Sequence, residues 1–233
     1  MLKGLLSFVL ILLVPAAAPA QLQINEQGVT IGFAHFDAKK GVPVGWRLDR
    51  KAGQAALRLE KEAEGFCLNM VSNEQSSFGV ERPLKVNIKD YPFLTWTWKV
   101  SKLPSGGDVR KAEVDDQAAQ LYIAFTATGF PAKLNTPVLG YIWDNEAPKE
   151  WTGRSPQLGG GKMRYVVVRN KTDTLGEWHR ERRNIYQDYR KLFRDLRGGE
   201  PPGPTLGISV YINSQHTRSS AECSIGSVFF SRQ

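Results

Sequence analysis

Apolar and polar residues alternate along most of this chain with the period of a strand. The clearest stretch is residues 93–100. Leu94, Trp96, Trp98 and Val100 share one face there, and Thr95, Thr97 and Lys99 share the other. This pattern predicts a strand with one buried side and assigns both tryptophans to the core. Residues 119–127 repeat it, with Leu121, Ile123 and Phe125 inward and Gln120, Tyr122 and Thr126 outward. In residues 205–212 the expected inward set is Leu206, Ile208, Val210 and Ile212, which leaves Ser209, Tyr211 and Asn213 outside. Residues 138–143 do not choose. Leu139, Tyr141 and Trp143 fall on one side, and Val138, Gly140 and Ile142 on the other.

Residues 29–36, 55–60, 65–71, 163–169 and 224–230 are also rich in β-branched and aromatic residues and bounded by Gly, Pro, Asn or Asp. Many short strands with almost no helical periodicity predict an all-β fold, an antiparallel β-sandwich of jelly-roll type. One segment departs from the rule. Residues 177–183 alternate, with Trp178, Arg180 and Arg182 on one face and His179, Glu181 and Arg183 on the other. From Asn184 the period becomes helical, bringing Ile185, Tyr189, Leu192 and Phe193 together. Asn184 and Gln187 suit a capping box, and Gly198-Gly199 suit a helix stop. One short α-helix is therefore expected near residues 185–197.

The N-terminus does not fit this picture. A short basic start, an apolar run over 5–14 and Ala18-Pro-Ala20 before Gln21 have the layout of a secretory signal peptide. The run is too short to span a bilayer comfortably, and no later segment is apolar enough for a transmembrane span. The expectation is an exported, periplasmic or secreted protein, with cleavage after Ala20 and a single β-sandwich domain over residues 21–233. Export into an oxidising compartment permits Cys67 and Cys223 to pair, and their apolar surroundings equally suit two buried thiols.

The 31 Lys and Arg outnumber the 23 Asp and Glu, giving a net charge of +8, part of it concentrated between Arg180 and Arg197. Such a surplus suits an anionic envelope ligand or a solvated face. No zinc-finger pattern or RNA-binding aromatic motif is present, which counts against nucleic acid. The Gly-x-Ser-x-Gly elbow, His-Glu-x-x-His and the P-loop are likewise missing. His35, His179 and His216 are far apart in sequence, so neither a metal site nor a cofactor is expected. The remaining chemistry is carboxylate chemistry, at Asp115-Asp116 and at Glu181 beside Arg183. A carboxylate next to a guanidinium is held ionised, which suits an ion pair or an electrostatic role better than a general acid.

Trp96-x-Trp98, Asp115-Asp116, Tyr141-x-Trp143 and Trp178-x-x-Glu181-x-Arg183-Asn184-x-x-x-Asp188-Tyr189-x-x-x-Phe193 together resemble the bacterial domain-of-unknown-function family 3047. The resemblance covers nearly the whole mature chain and implies an envelope location without an activity. The layout also looks like the jelly-roll sandwiches of carbohydrate-binding modules. Many of those carry an Asp in the last strand that helps hold calcium. Ser224-Ile-Gly-Ser-Val228 has no acid there.

These readings converge on non-catalytic binding of a glycan or other polyhydroxylated envelope ligand. Aromatic planes beside short polar groups suit sugar rings. The candidate ligand-binding residues are Tyr122, Tyr141, Trp143, Trp178, Glu181, Arg183, Tyr211 and Asn213. Two alternatives stay open: a polysaccharide hydrolase or lyase using Glu181 or Asp116, and an interaction protein that docks through its basic helix.

Overall fold

The computed structural model describes residues 22–233 except 64, 158 and 159, so the expected leader over residues 1–20 lies outside the described residues. The strands run β1 (Leu22–Asn25), β2 (Gly28–Ile31), β3 (Phe36–Asp37), β4 (Val42–Pro43), β5 (Arg47–Ala52), β6 (Ala56–Glu62), β7 (Gly65–Ser72) and β8 (Ser77–Pro83). They continue as β9 (Phe93–Lys102), β10 (Ala119–Phe125), β11 (Val138–Trp143), β12 (Thr152–Arg154), β13 (Met163–Arg169), β14 (His179–Asn184), β15 (Thr205–Asn213) and β16 (Ala221–Ser231). A single-turn helix, α1 (Ala132–Asn135), sits between β10 and β11, and α2 (Ile185–Leu192) follows β14 directly.

Two seven-stranded sheets face each other. The first has the order β12-β13-β11-β10-β15-β8-β5. Its pairs are antiparallel except β11 and β13, which run parallel because the chain crosses through β12 before returning. The second sheet is built around β16. On one side β16 pairs with β9, and β9 pairs with β14. On its other side β16 changes partner. Ala221–Ile225 pair with β7, and Val228–Ser231 pair with β2.

The core between the sheets is aromatic at its centre. Trp96 lies 5.1 Å from Tyr141 and Trp98 lies 5.8 Å from Trp143, ring to ring, so β9 and β11 meet across the sandwich. The alternation of β9 and β10 is obeyed throughout, with Leu94, Val100, Leu121, Ile123 and Phe125 all fully buried. The undecided strand β11 turns Leu139, Tyr141 and Trp143 into this core. Tyr141 and Trp143 are thus placed away from any surface, correcting the expectation that they line a groove. Large aromatic rings bury the most apolar area, and the opposite face of β11 offers only Val138, Gly140 and Ile142.

Leu206 is a second correction. It is exposed because β15 bulges there: Phe125 pairs with Thr205 and Ala124 with Gly207, leaving Leu206 as the extra residue. Residues 29–36 do not form one strand either. β2 stops at Ile31, and Phe33 makes only an isolated bridge to Phe66. The helix starts where expected, with Asn184 Oδ1 accepting from Gln187 N at 2.9 Å. It ends at Leu192 and not near 197, because the chain folds back so closely that Gly199 lies against the carbonyl of Arg190. Ile185, Tyr189 and Phe193 anchor α2 in the core, with Tyr189 stacked on Phe193 at 4.5 Å.

The two cysteines lie on opposite faces of the second sheet. Cys223 pairs with Met70 and joins the core, whereas Cys67 pairs with Glu60 three rows away and faces outward. Both are buried free thiols. Three rows along a strand is about 10 Å, beyond the Cα separation a disulfide spans.

Candidate functional site

Three regions gather the residues that the sequence singles out. The first is the outer face of the β12–β5 sheet. Register places Tyr122 beside Gly140, Gly140 beside Tyr165, and Tyr211 beside Gly79. The rings lie down across these glycines: a Cβ on Gly140 would meet Tyr122 Cε1 at 2.7 Å, and one on Gly79 would meet Tyr211 Cδ2 at 2.2 Å. The ring centroids of Tyr165, Tyr122 and Tyr211 are 6.3 and 6.2 Å apart in sequence across the sheet.

This row is the outward tyrosine face expected from the alternation, and it is covered. Val109, Ala147 and Trp151 from two loops pack onto Ile142, Tyr165 and Val167 as a second, smaller core. Tyr165 is 3% and Tyr211 8% exposed. The polar groups there are spent on one another. Asn213 Oδ1 accepts from Gln117 N at 2.9 Å, and its Nδ2 donates to the Asp115 carbonyl at 2.7 Å. Gln157 Nε2 reaches Asp115 Oδ2 at 3.1 Å and ties down the covering loop. Tyr122 donates to Gln120, and Tyr211 donates to the Asp49 carbonyl. Burial raises the Asp115 carboxyl above its ordinary range, against hydrogen bonds from Gln117 and Gln157 that lower it. Asp116 is also buried, with Oδ2 taking the amide of Thr217 at 2.6 Å.

The second region is the inward face of β14. Glu181 Oε1 accepts from Trp98 Nε1 at 3.1 Å and also from Arg169 Nε. Arg169 lies over the Trp143 ring and pairs with Asp173 at 2.9 Å. Arg183 contacts Asp188 at 3.1 Å and Glu150 at 2.8 Å, while Tyr141 donates to the same Asp188 at 2.9 Å. Burial pulls the Arg183 guanidinium down, but Asp188 and Glu150 outweigh it and hold it above its ordinary value. Glu181 and Arg183 therefore stitch the open side of the sandwich together, and their hydrogen-bonding capacity is used inside the protein.

The third region is a notch on the outer face of the β16 sheet, and it is created by the partner change in β16. Between Ile225 and Val228 the strand carries one residue more than β9 opposite it, a bulge at Gly226-Ser227. On the other side the pairing with β7 stops at Ile225 opposite Leu68, and the pairing with β2 starts only at Val228 opposite Ile31. The gap opens into a cavity of about 320 Å³. Its walls are Trp178, 37% exposed, and Phe66, 38% exposed. Thr97, Ser227, Glu62 and Arg180 supply polar groups, and Cys67 is at the floor. Gly226 is required by the close approach of β9, since a Cβ there would sit 2.2 Å from Thr97 Oγ1.

Trp178 was expected at a site, and the notch is where it is found. Phe66, Thr97, Glu62 and Arg180 were missed as candidates. The one local signal was a glycine inside a strand pattern, which marks a bulge or a close backbone approach. Lys99 pairs with Glu62 at 3.5 Å and sits 5.0 Å from the centroid of the Trp178 ring, steadying the indole at the mouth. Burial, then the nearby Glu60 and Glu62, push the Cys67 thiol up to about 11, so it stays protonated and a poor nucleophile at neutral pH. Donor atoms of Glu60, Glu62 and Cys67 lie within 4.8 Å of one another. Arg58, 2.7 Å from Glu60, and Lys99 already balance the two carboxylates. Among the described residues no helix is long and apolar enough to cross a membrane.

The basic stretch after β14 lies apart from all three regions. Arg190 pairs with Glu200 at 3.5 Å, and Lys191, Arg194 and Arg197 are exposed.

The architecture defines a jelly-roll-like β-sandwich protein. Residues 45–229 match the family described as Protein of unknown function (DUF3047), and the chain belongs to that family. No curated protein matches the chain. Among solved structures it is similar to a family 11 carbohydrate-binding module from Clostridium thermocellum in complex with a β-1,3-1,4-mixed-linked tetrasaccharide, at 10% identity and a TM-score of 0.44 over 86% of this chain and 96% of that one. It is also similar to the xyloglucanase domain of NopAA, a type three effector from Sinorhizobium fredii in complex with cellobiose, at 10% identity and 0.40 over 78% and 90%. A family 11 xylanase from Neocallimastix patriciarum aligns at 13% identity and 0.37 over 86% and 94%.

Proposed function

We propose that this is an exported, non-catalytic binding protein for a glycan or other polyhydroxylated ligand, and that the notch beside Trp178 is where the sugar sits. One observation carries the reading: two half-exposed aromatic side chains, Trp178 and Phe66, wall the same cavity of about 320 Å³. That volume lies in the range of small-ligand sites. An aromatic plane takes the apolar face of a pyranose, and the hydroxyls of Thr97 and Ser227 with the Glu62 carboxylate take its hydroxyl groups. The signal-peptide pattern of residues 1–20 supports export. A hydrolytic role draws no such support, because Glu181 is held by Arg169 and Trp98 and Asp116 is buried in the loop before β10.

The test is a panel of envelope and plant oligosaccharides, including peptidoglycan fragments, read by quenching of tryptophan fluorescence and by calorimetry. Binding by the wild type that Trp178→Ala weakens supports the reading. Silence across the panel at millimolar ligand overturns it.

A further inference from the structure

Among the described residues, the charges around the notch do not cancel. Arg180 lines the cavity, and Arg182 stands on the same outward face of β14, two residues on. Register sets them opposite Thr97 and Thr95 of β9. Among the described residues, no carboxylate forms an ion pair with either guanidinium, and Arg182 rests its planar group 3.9 Å from the centre of the Phe93 ring. The acids nearby are already answered: Glu62 by Lys99 at 3.5 Å and Glu60 by Arg58 at 2.7 Å. His179 is turned to the carbonyl of Thr174 at 3.0 Å. The result is a sugar-sized cavity lined by Arg180, which has no carboxylate partner among the described residues, with Arg182 outside the cavity on the same face of the strand.

Resting on the reading of the notch as a sugar site, we infer that its ligand is an acidic saccharide, a uronic-acid oligosaccharide whose carboxylate is taken by Arg180, with Arg182 adding positive charge on the same face. A guanidinium presents a flat fork of donors that matches a carboxylate in two parallel hydrogen bonds. Such charge-assisted bonds are the strong ones, and the cavity walls of Trp178 and Phe66 keep bulk water off one side of them. Phe93 beneath Arg182 fixes that second positive charge in place on the face beside the notch. The net charge of +8 draws anions toward the surface as a whole, and Arg180 in the cavity gives them a place to stop. A cationic or amino sugar would meet the same two charges as repulsion.

The experiment uses the mature full chain and pairs of ligands that differ only in charge: oligomers of galacturonate, mannuronate and glucuronate, each beside its methyl ester. The acid of at least one pair should bind about tenfold more tightly than its ester at low salt, and the gap should narrow as salt screens it. The double variant Arg180→Ala/Arg182→Ala, with its fold checked by thermal unfolding, should bring the acid-to-ester ratio close to one. An ester that binds as well as its acid overturns the carboxylate assignment and leaves the sugar site standing. A preference that survives in the double variant removes these two arginines as its cause. Failure of both acids and esters to bind takes down the sugar site and this inference together.

Discussion

The indole of Trp98 and the carboxylate of Glu181 share a hydrogen bond of 3.1 Å between neighbouring strands, and the same carboxylate oxygen holds Arg169. One buried tryptophan, one acid and one arginine thus join β9, β14 and β13. Glu181→Ala leaves an indole N–H and a guanidinium without their partner. Loss of one member of a partly buried ion pair costs about 2–4 kcal/mol. Chemical denaturation should show that loss, and ligand binding at the notch by the folded variant should be unchanged. A shift below about 0.5 kcal/mol would return Glu181 to the list of free side chains.

Trp178 should behave in the opposite way. Its side chain is 37% exposed and belongs to a wall and not to the core. Trp178→Ala is expected to weaken sugar binding at least about tenfold while shifting stability by no more than about 1 kcal/mol. A variant that loses both fold and binding would make Trp178 a packing residue.

Gly79 carries the ring of Tyr211. A Cβ there would lie 2.2 Å from Tyr211 Cδ2 and 2.3 Å from the carbonyl oxygen of Val210, and the carbonyl cannot rotate away. Gly79→Ala should cost about 1–3 kcal/mol by overpacking. The change is measured by urea titration, and an unchanged midpoint would mean that the ring does not lie on the glycine.

Asp144 gives a pH dependence with a definite sign. Its carboxyl is buried in the loop after β11 and takes the amides of Ala147 at 2.7 Å and Val109 at 2.8 Å. Burial raises its pKa from 3.8 to about 6, against those hydrogen bonds. Between these two values the folded state holds a proton that the unfolded state has released. The contribution of Asp144 to stability therefore falls as pH rises through about 4 to 6 and levels off above. Wild type minus Asp144→Asn, measured by denaturation from pH 4 to 7, should decline across that window. A difference that climbs with pH would reverse the assignment.

Denaturing the unreduced protein and titrating its thiols should release two, from Cys67 and Cys223. In the native state alkylation of Cys67 should be slow at pH 7 and accelerate toward its pKa of about 11. Finding no thiol after denaturation would mean that the strands can be pulled into a pairing the register forbids.

The sandwich was legible wherever a strand carried large apolar residues on one face only. β9 and β10 announce themselves by Leu94, Trp96, Trp98, Leu121 and Ile123. β5 escaped because it is an edge strand whose residues Arg47, Asp49, Arg50 and Lys51 leave Leu48 alone to mark the inward face. The helix start was readable from Asn184, since capping is local. The helix end was not, since the turn that stops it depends on Gly199 meeting Arg190 in space. The site divides in the same way. Alternation correctly separated the Trp178 and Arg180 face of β14 from the Glu181 and Arg183 face. It could not tell which face would be left free, because Arg169, Glu150 and Asp188 arrive from elsewhere in the chain. The notch needs β7, β9, β14 and β16 at once, and no window of sequence contains all four.

Among the described residues β14 pairs with β9 on one side only, so its other side is a sheet edge. Four consecutive residues on it, Arg180 to Arg183, are charged. A second chain that tried to extend the sheet there would have to strip water from the exposed Arg180 and Arg182 and bring its own backbone against their guanidiniums. The arginine-rich strand is thus also a guard against edge-to-edge aggregation. Replacing Arg180 and Arg182 with threonine or valine would make a better strand and a worse-behaved protein.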